Sequence, residues 1–204
     1  MNSSQNSGIL EFLVGVLVDF CSLYVRVCLG NKPRSIAMRE LKELNLSDIS
    51  KYADAFDIFH KEPIAFADDG KRCNGLTIGW GGLGVLWNKP TCTIYIHETR
   101  FSREVFDAAD MFSVCLLPET CRDSINYYGK VSGRDEDKIA NGGLKVTMGE
   151  APYAEESTLV LICRKMGQSK FDVNSVDKSV EAWYHRSGVH TLYYGEIIKV
   201  LGRD

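Results

Sequence analysis

Cys73-Asn-Gly-Leu-Thr-Ile-Gly-Trp80-Gly-Gly-Leu-Gly-Val-Leu-Trp87-Asn-Lys-Pro90-Thr-Cys-Thr-Ile-Tyr-Ile-His97-Glu-Thr-Arg100-Phe-Ser102 is the stretch from which the rest of the chain is read. Successive side chains of a strand point to opposite faces. A strand over 74–81 therefore carries Asn74, Leu76, Ile78 and Trp80 on one face, and Gly75, Thr77, Gly79 and Gly81 on the other. The second face is nearly bare. Glycine inside a strand costs entropy and offers nothing to pack, so the pattern points to a flat molecule lying against exposed peptide groups. Glycines marking bulges or a sharp barrel corner are the alternative, and both can hold together.

Upstream, Ile64 to Ala67 is a short apolar run followed by Asp68-Asp69-Gly70-Lys71. Strand, D-G turn and strand predict a hairpin. Farther upstream, Leu41, Leu44, Ile49, Tyr52, Ala53 and Phe56 recur at near-helical intervals, with Ser47 as a helix cap. Downstream, Lys89-Pro90 reads as a breaker, Thr91 to His97 alternates, and Ser102 precedes a helical stretch from Arg103 to Ala109. Met111 to Leu117 reads as a buried strand closed by Pro118, and Glu119 to Tyr128 as a helix before the loop Gly129 to Gly133. A short helix from Asp135 to Asn141 ends at Gly142-Gly143, where a left-handed cap is easy. Leu144 to Met148, Ser157 to Met166 and His190 to Leu201 complete the strands, with Val176 to Tyr184 a helix between the last two. Short strands joined by turns, with a few helices, predict an antiparallel barrel with helical decoration.

The chain of 204 residues fits one domain with an appendage. A net charge of −3, with dispersed lysines and arginines, gives no basic footprint and argues against nucleic acid. Seven cysteines form no even framework, and Cys92, Cys115 and Cys163 sit in apolar runs. They fit reduced thiols in a reducing compartment, the cytoplasm. No C-x-x-C and no histidine at zinc spacing is present, so no metal site is expected. Residues 9–29 are rich in apolar residues, but Glu11, Asp19 and Arg26 interrupt them, which argues against a membrane span. Residues 1–37 read as an extension of unknown role ahead of a domain over 38–204.

Gly79-Trp80-Gly81-Gly82-Leu83-Gly84 matches the dinucleotide-binding pattern G-x-G-x-x-G. That mechanism needs a helix opening at the glycines, its N-terminus aimed at the pyrophosphate. Barely one turn fits before Asn88-Lys89-Pro90, so a Rossmann dehydrogenase stays only a rival reading. Two candidate anion sites stand instead; each alone reads as an ordinary cap with solvated charges, and together with the bare strand face they suggest a phosphate-tailed ring compound. Arg100 and Arg103 flank the helix capped by Ser102. The corner Ser132-Gly133 before a short helix can form a backbone nest, with Lys138 reaching back as a point charge.

Asn74-Gly-Leu-Thr-Ile-Gly-Trp80, the run from Gly81 to Pro90, Arg100-Phe-Ser102, Ser132-Gly-Arg-Asp135 with Asp137-Lys138, and His190-Thr-Leu-Tyr-Tyr-Gly-Glu-Ile197 together resemble the flavin reductase-like family. Its flavoredoxin-like members are the most similar, and the resemblance spans roughly Ile64 to Val200. Departures are Leu76 where methionine is common, His97-Glu98 in place of Arg-Pro, and Phe101-Ser102 in place of Tyr-Thr. Glu98 puts a negative charge near the expected anion site.

The resemblance implies a mainly β fold, a homodimer of antiparallel six-stranded split β-barrels with peripheral helices, each binding FMN. The flavin ring would lie along Asn74, Gly75, Leu76, Thr77, Ile78, Gly79 and Trp80. The phosphate would be held by some of Arg100, Ser102, Ser132, Gly133 and Lys138. Hydride would pass from NADH or NADPH to the flavin and on to an acceptor, which could be an electron-acceptor protein. The alternative is a flavoredoxin-type FMN electron carrier that does not itself oxidise nicotinamide.

His190 is the candidate catalytic side chain near the reacting ring, and a strand-end histidine with a structural hydrogen bond is the equal alternative. Glu196 reads as a paired, buried or interfacial carboxylate, and Trp80, Trp87 and Trp183 as core or dimer contacts.

Overall fold

The computed structural model describes residues 40–203, the side chains at 182 and 185–187 excepted, so the amino-terminal extension lies outside the described residues. The strands are β1 (Lys42–Leu44), β2 (Ile64–Asp68), β3 (Cys73–Thr77), β4 (Gly81–Leu86), β5 (Lys89–His97), β6 (Met111–Leu116), β7 (Val146–Thr147), β8 (Tyr153–Ala154), β9 (Leu159–Lys170) and β10 (His190–Gly202). The helices are α1 (Ala55–His60), α2 (Ser102–Ala108), α3 (Arg122–Lys130), α4 (Lys138–Asn141) and α5 (Lys178–Ser187).

The main sheet runs β3-β2-β6-β9-β10-β5-β4, with β1 added to β10 and β7 paired to β8 apart from it. Every ladder is antiparallel. Its two end strands, β3 and β4, are consecutive in the chain. Flat, seven strands would hold those ends roughly 29 Å apart, whereas the link across residues 78–80 reaches about 14 Å at most. The sheet must therefore curl into a barrel, split where no ladder joins β3 to β4 among the described residues. This is the mainly β, antiparallel architecture with peripheral helices that the sequence predicts. The sheet path counts seven strands, because the glycine run 81–86 is itself one.

Period-2 alternation sorts the side chains. Ala65, Ala67, Leu76, Ile94, Val114, Leu161 and Tyr193 meet in the larger core, inside the curl, with Phe59 of α1 and Phe106 of α2 closing it. Ile64, Phe66, Cys115, Val160 and Ile162 face the other way, into a second core under Ile125 and Tyr128 of α3. Cys92, Cys115 and Cys163 are buried and free, as their apolar surroundings predict.

Several local expectations are corrected. The strand predicted over 74–81 ends at Thr77 and resumes at Gly81, leaving Ile78, Gly79 and Trp80 outside either strand. Lys89-Pro90 is no breaker. It opens β5, with Pro90 opposite Val85 near the strand start, where the missing N–H is tolerated. The turn before it has Trp87 at φ 52° and Asn88 at φ 59°, the two positive values of a tight hairpin turn.

The helix-like run from 40 to 60 breaks into β1, a 3-10 turn at Leu46–Lys51 and α1. Asn45 rather than Ser47 precedes that turn, and Asp54 starts α1 by accepting from Phe56 N at 2.9 Å and Asp57 N at 2.8 Å. These two caps divide the run. The strand expected at 144–148 shrinks to Val146–Thr147.

Candidate functional site

A cavity of about 510 Å³ opens beside β3, the 78–80 link, the start of β10 and the loops after β5 and α3. Part of its lining is Trp80, His97, Trp183 and His190; Arg100, Ser102, Lys130, Ser132 and Lys138 supply polar and cationic groups, and Leu76, Phe101, Tyr128 and Val131 add apolar surface. No aspartate or glutamate lines it among the described residues. The two parts offer stacking surface on one hand and anion contacts on the other.

The stacking group is tightly made. Trp80 lies with its ring centroid 4.6 Å from His190 and 6.0 Å from Trp183, and His97 meets His190 edge-on at 4.9 Å. Trp80 and Trp183 are 44% and 64% exposed, so they are not core residues. The tautomer of His97 follows from its partners. Gly188 O, 3.1 Å from Nε2, only accepts, so Nε2 carries the proton and Nδ1 accepts from Thr99 N at 3.3 Å. His190 Nδ1 is buried without any partner. Burial, then His97 and Arg100, push His190 down to about 4, so its ring is neutral at neutral pH. An uncharged imidazole with one nitrogen unbonded is a hydrogen-bonding group awaiting a partner, not a standing charge.

The anion-facing group rests on Lys138. Its side chain is 3% exposed, yet Nζ donates to Tyr128 O at 2.8 Å and sits 5.3 Å from the Tyr128 ring centroid. Burial first, and Arg100 second, push the amine down to about 8. A buried ammonium without a carboxylate is expensive, and an arriving anion offsets that cost. Asp137, which begins α4 by accepting from Ile139 N at 3.0 Å and Ala140 N at 3.1 Å, fixes the turn that holds the lysine. Tyr128 OH is also buried without a partner.

Among the residues singled out in the sequence, Leu76, Trp80, Arg100, Ser102, Ser132, Gly133, Lys138 and His190 all line this one cavity. Arg100 Nη1 donates to Gly129 O at 2.7 Å, bracing the loop after α3. Ser102 does not cap its helix. It is the first residue of α2, and its hydroxyl accepts from Asn74 Nδ2 at 2.9 Å, tying β3 to the helix. Arg103 turns away toward Asp107, 3.7 Å distant. The nest expected at the Ser132-Gly133 corner is closed on itself: Arg134 N donates to Ser132 Oγ, and Asp135 N and Glu136 N to Ser132 O. Gly133 is needed for fit, since a Cβ there would come 2.7 Å from Phe101 and 3.0 Å from the Asn74 amide.

The bare strand face is the main correction. A Cβ on Gly75 would meet Phe66 at 2.6 Å and Tyr128 at 2.9 Å, and one on Gly81 would meet Phe59 at 2.0 Å. Those glycines let aromatic rings pack closely. Of the three glycines on that face, only Gly79 faces open space. Thr77, on the Gly75 face, donates its hydroxyl to Ile125 O, and Ile78 is buried in the core. The open volume lies instead beside Leu76 and Trp80, on the face expected to be filled.

Glu98 is absent from the cavity lining. A Cβ on Gly188 would come 2.0 Å from its Oε1, so the carboxylate is folded against the end of α5. Glu196 is paired as expected, with Lys89 at 2.9 Å and with Arg164. The sequence reading missed Tyr128 and Lys130 as cavity residues; only the buried i, i+3 pair Ile125 and Tyr128 on α3 pointed that way. Three or more metal-ligating side chains do not gather anywhere among the described residues.

A family model described as "Flavin reductase like domain" matches residues 64–204. No curated protein is significantly similar in sequence. Among solved structures, a flavoredoxin from Methanosarcina acetivorans is similar at 24% identity and TM-score 0.56, over 70% of this chain and 69% of that one. An FMN-binding domain of a flavin reductases-like enzyme from Shewanella baltica aligns at 14% identity and TM-score 0.60, over 82% and 79%. An FMN-binding protein from Thermus thermophilus aligns at 20% identity and TM-score 0.56, over 69% of each chain. At these identities the likeness is one of fold.

Proposed function

This chain belongs to the flavin reductase-like family, and from that premise we propose that it binds FMN in the acid-free cavity and acts as an NAD(P)H-dependent flavin oxidoreductase. The observation that carries the reading is one cavity of about 510 Å³ joining a stacked indole–imidazole group to a buried lysine that makes no ion pair among the described residues. The residues fit the cofactor: the unpartnered His190 Nδ1 and the buried Lys138 amine both lack what a flavin ring edge and a phosphate would supply.

When bound, FMN supplies hydride acceptance and release, chemistry that no side chain provides. Lys138 and Arg100 hold the anionic tail, with Ser102 and Ser132 as hydroxyl donors. Trp80 and Trp183 cover the ring end and keep water off it. His190, neutral at working pH, offers a hydrogen bond at the ring without adding charge. Leu76 would border the ring's flat side.

We also propose a homodimer. β4 forms the outer edge of the sheet, and Val85 on it and Trp87 in the turn that follows are 78% and 62% exposed, a combination that partners usually cover.

The test is anaerobic mixing of FMN-loaded protein with NADH or NADPH. Rapid loss of the yellow absorbance is expected. Protein that holds FMN but keeps its colour would make the chain an electron carrier instead, and protein that never retains FMN would remove the flavin reading.

A further inference from the structure

Behind Trp80 lies a second cavity of about 390 Å³, separate from the one described and sharing only that tryptophan with it. Its walls are rings. Tyr95 and Phe171 stack at 5.8 Å with 12° between their planes, and Phe171 meets Tyr184 at 5.7 Å. Phe59 packs on Gly81 below, and Phe56 stands 80% exposed beside the opening. No lysine, arginine or carboxylate lines it among the described residues, and His60 is exposed.

We propose that this cleft binds a neutral, planar arene of one or two rings carrying a polar oxygen, such as a quinone, nitroarene or phenol. A charged ligand would lose its hydration here with nothing to replace it. An aliphatic one would forgo the offset and edge-on ring contacts that the walls offer. The volume suits one or two fused rings. Burial raises the pKa of both Tyr95 and Tyr184, so their hydroxyls stay protonated donors for the ligand oxygen. Gly79, with nothing within 4 Å of a built Cβ, leaves a peptide open on the same side. As the acceptor site of a flavin enzyme, one indole away from the flavin cavity, the cleft rests on the function proposed above. As a binding site it does not.

The test uses the full chain with and without FMN, and 4-nitroanisole as the probe. Saturable quenching of tryptophan fluorescence is expected, independent of protein concentration and not displaced by FMN. Phe56→Ala and Phe171→Ala should each weaken the probe at least fivefold while leaving FMN titration unchanged. Phe56 is so exposed that its variant folds even if the other does not.

The proposal is overturned by non-saturable quenching, by unchanged affinity in Phe56→Ala, or by displacement with FMN. It is equally overturned if benzoate or methoxycyclohexane binds as well, or if affinity falls as protein concentration rises, which would put a second copy in the cleft. Should the probe behave as expected while FMN fails to bind, the flavin reading falls and the arene site stands.

Discussion

Gly75 decides how closely α3 approaches β3, because Phe66 and Tyr128 occupy the space a side chain would need. Gly75→Ala should overpack that contact and destabilise the protein by about 1–3 kcal/mol. Gly79→Ala, in open space, should stay within about 0.5 kcal/mol; urea unfolding of both variants decides the contrast. The alternation over 74–81 identified which residues share a face. It could not tell which face is covered, because Tyr128 arrives from a helix distant in sequence, and local pattern carries no record of that.

Lys138 gives a pH signature. Its folded value of about 8 lies below the ordinary 10.5, so the unfolded chain binds more protons between those values, and ligand-free protein gains stability as pH rises through that window. Affinity for a phosphate-bearing flavin runs oppositely and should fall above about pH 8. Riboflavin, lacking the phosphate, should bind with no such trend. Lys138→Met should weaken FMN at pH 7 about 10-fold or more and flatten the pH profile. Equal pH profiles for the two flavins in the wild-type protein would exclude Lys138 as the phosphate contact.

At the scale of elements, the β4–β5 hairpin shows what composition hides. Rejecting a helix over 81–86 was sound, since the glycines lie in a strand. That a strand of this composition forms at all depends on β5, whose Thr91, Cys92, Thr93 and Ile94 pair with it. The turn is chemically unexpected, because Trp87 at φ 52° occupies a conformation bulky residues avoid. Trp87→Asn, in a Val85→Glu background where any subunit contact is already broken, should raise stability by about 1 kcal/mol. No gain in the thermal midpoint would show that the tryptophan's packing on Tyr194 outweighs the strain. Caps were the other weak point of the sequence reading. Asn45 and Asp54 cut a run whose apolar spacing alone reads as continuous helix.

For the whole molecule, the barrel was legible because its strands alternate and its turns are marked by glycine, proline and aspartate. The cavity was legible in part: its residues come from separated motifs, and only closure of the sheet brings them together. The proposed dimer would use the exposed edge of β4. Val85→Glu should convert a dimer to a monomer in sedimentation velocity without altering the circular dichroism spectrum, and a species that stays dimeric would move the interface elsewhere. The split between β3 and β4 has a consequence of its own. The rims there are stitched by three residues, not zipped by a ladder, and the stitch is pinned on both sides: Ile78 N donates to Pro63 O at 2.9 Å, and Trp80 O accepts from Tyr95 N at 3.3 Å. The backbone of Trp80 is thereby tethered to β5 where the two cavities meet, so its indole is the partition they share.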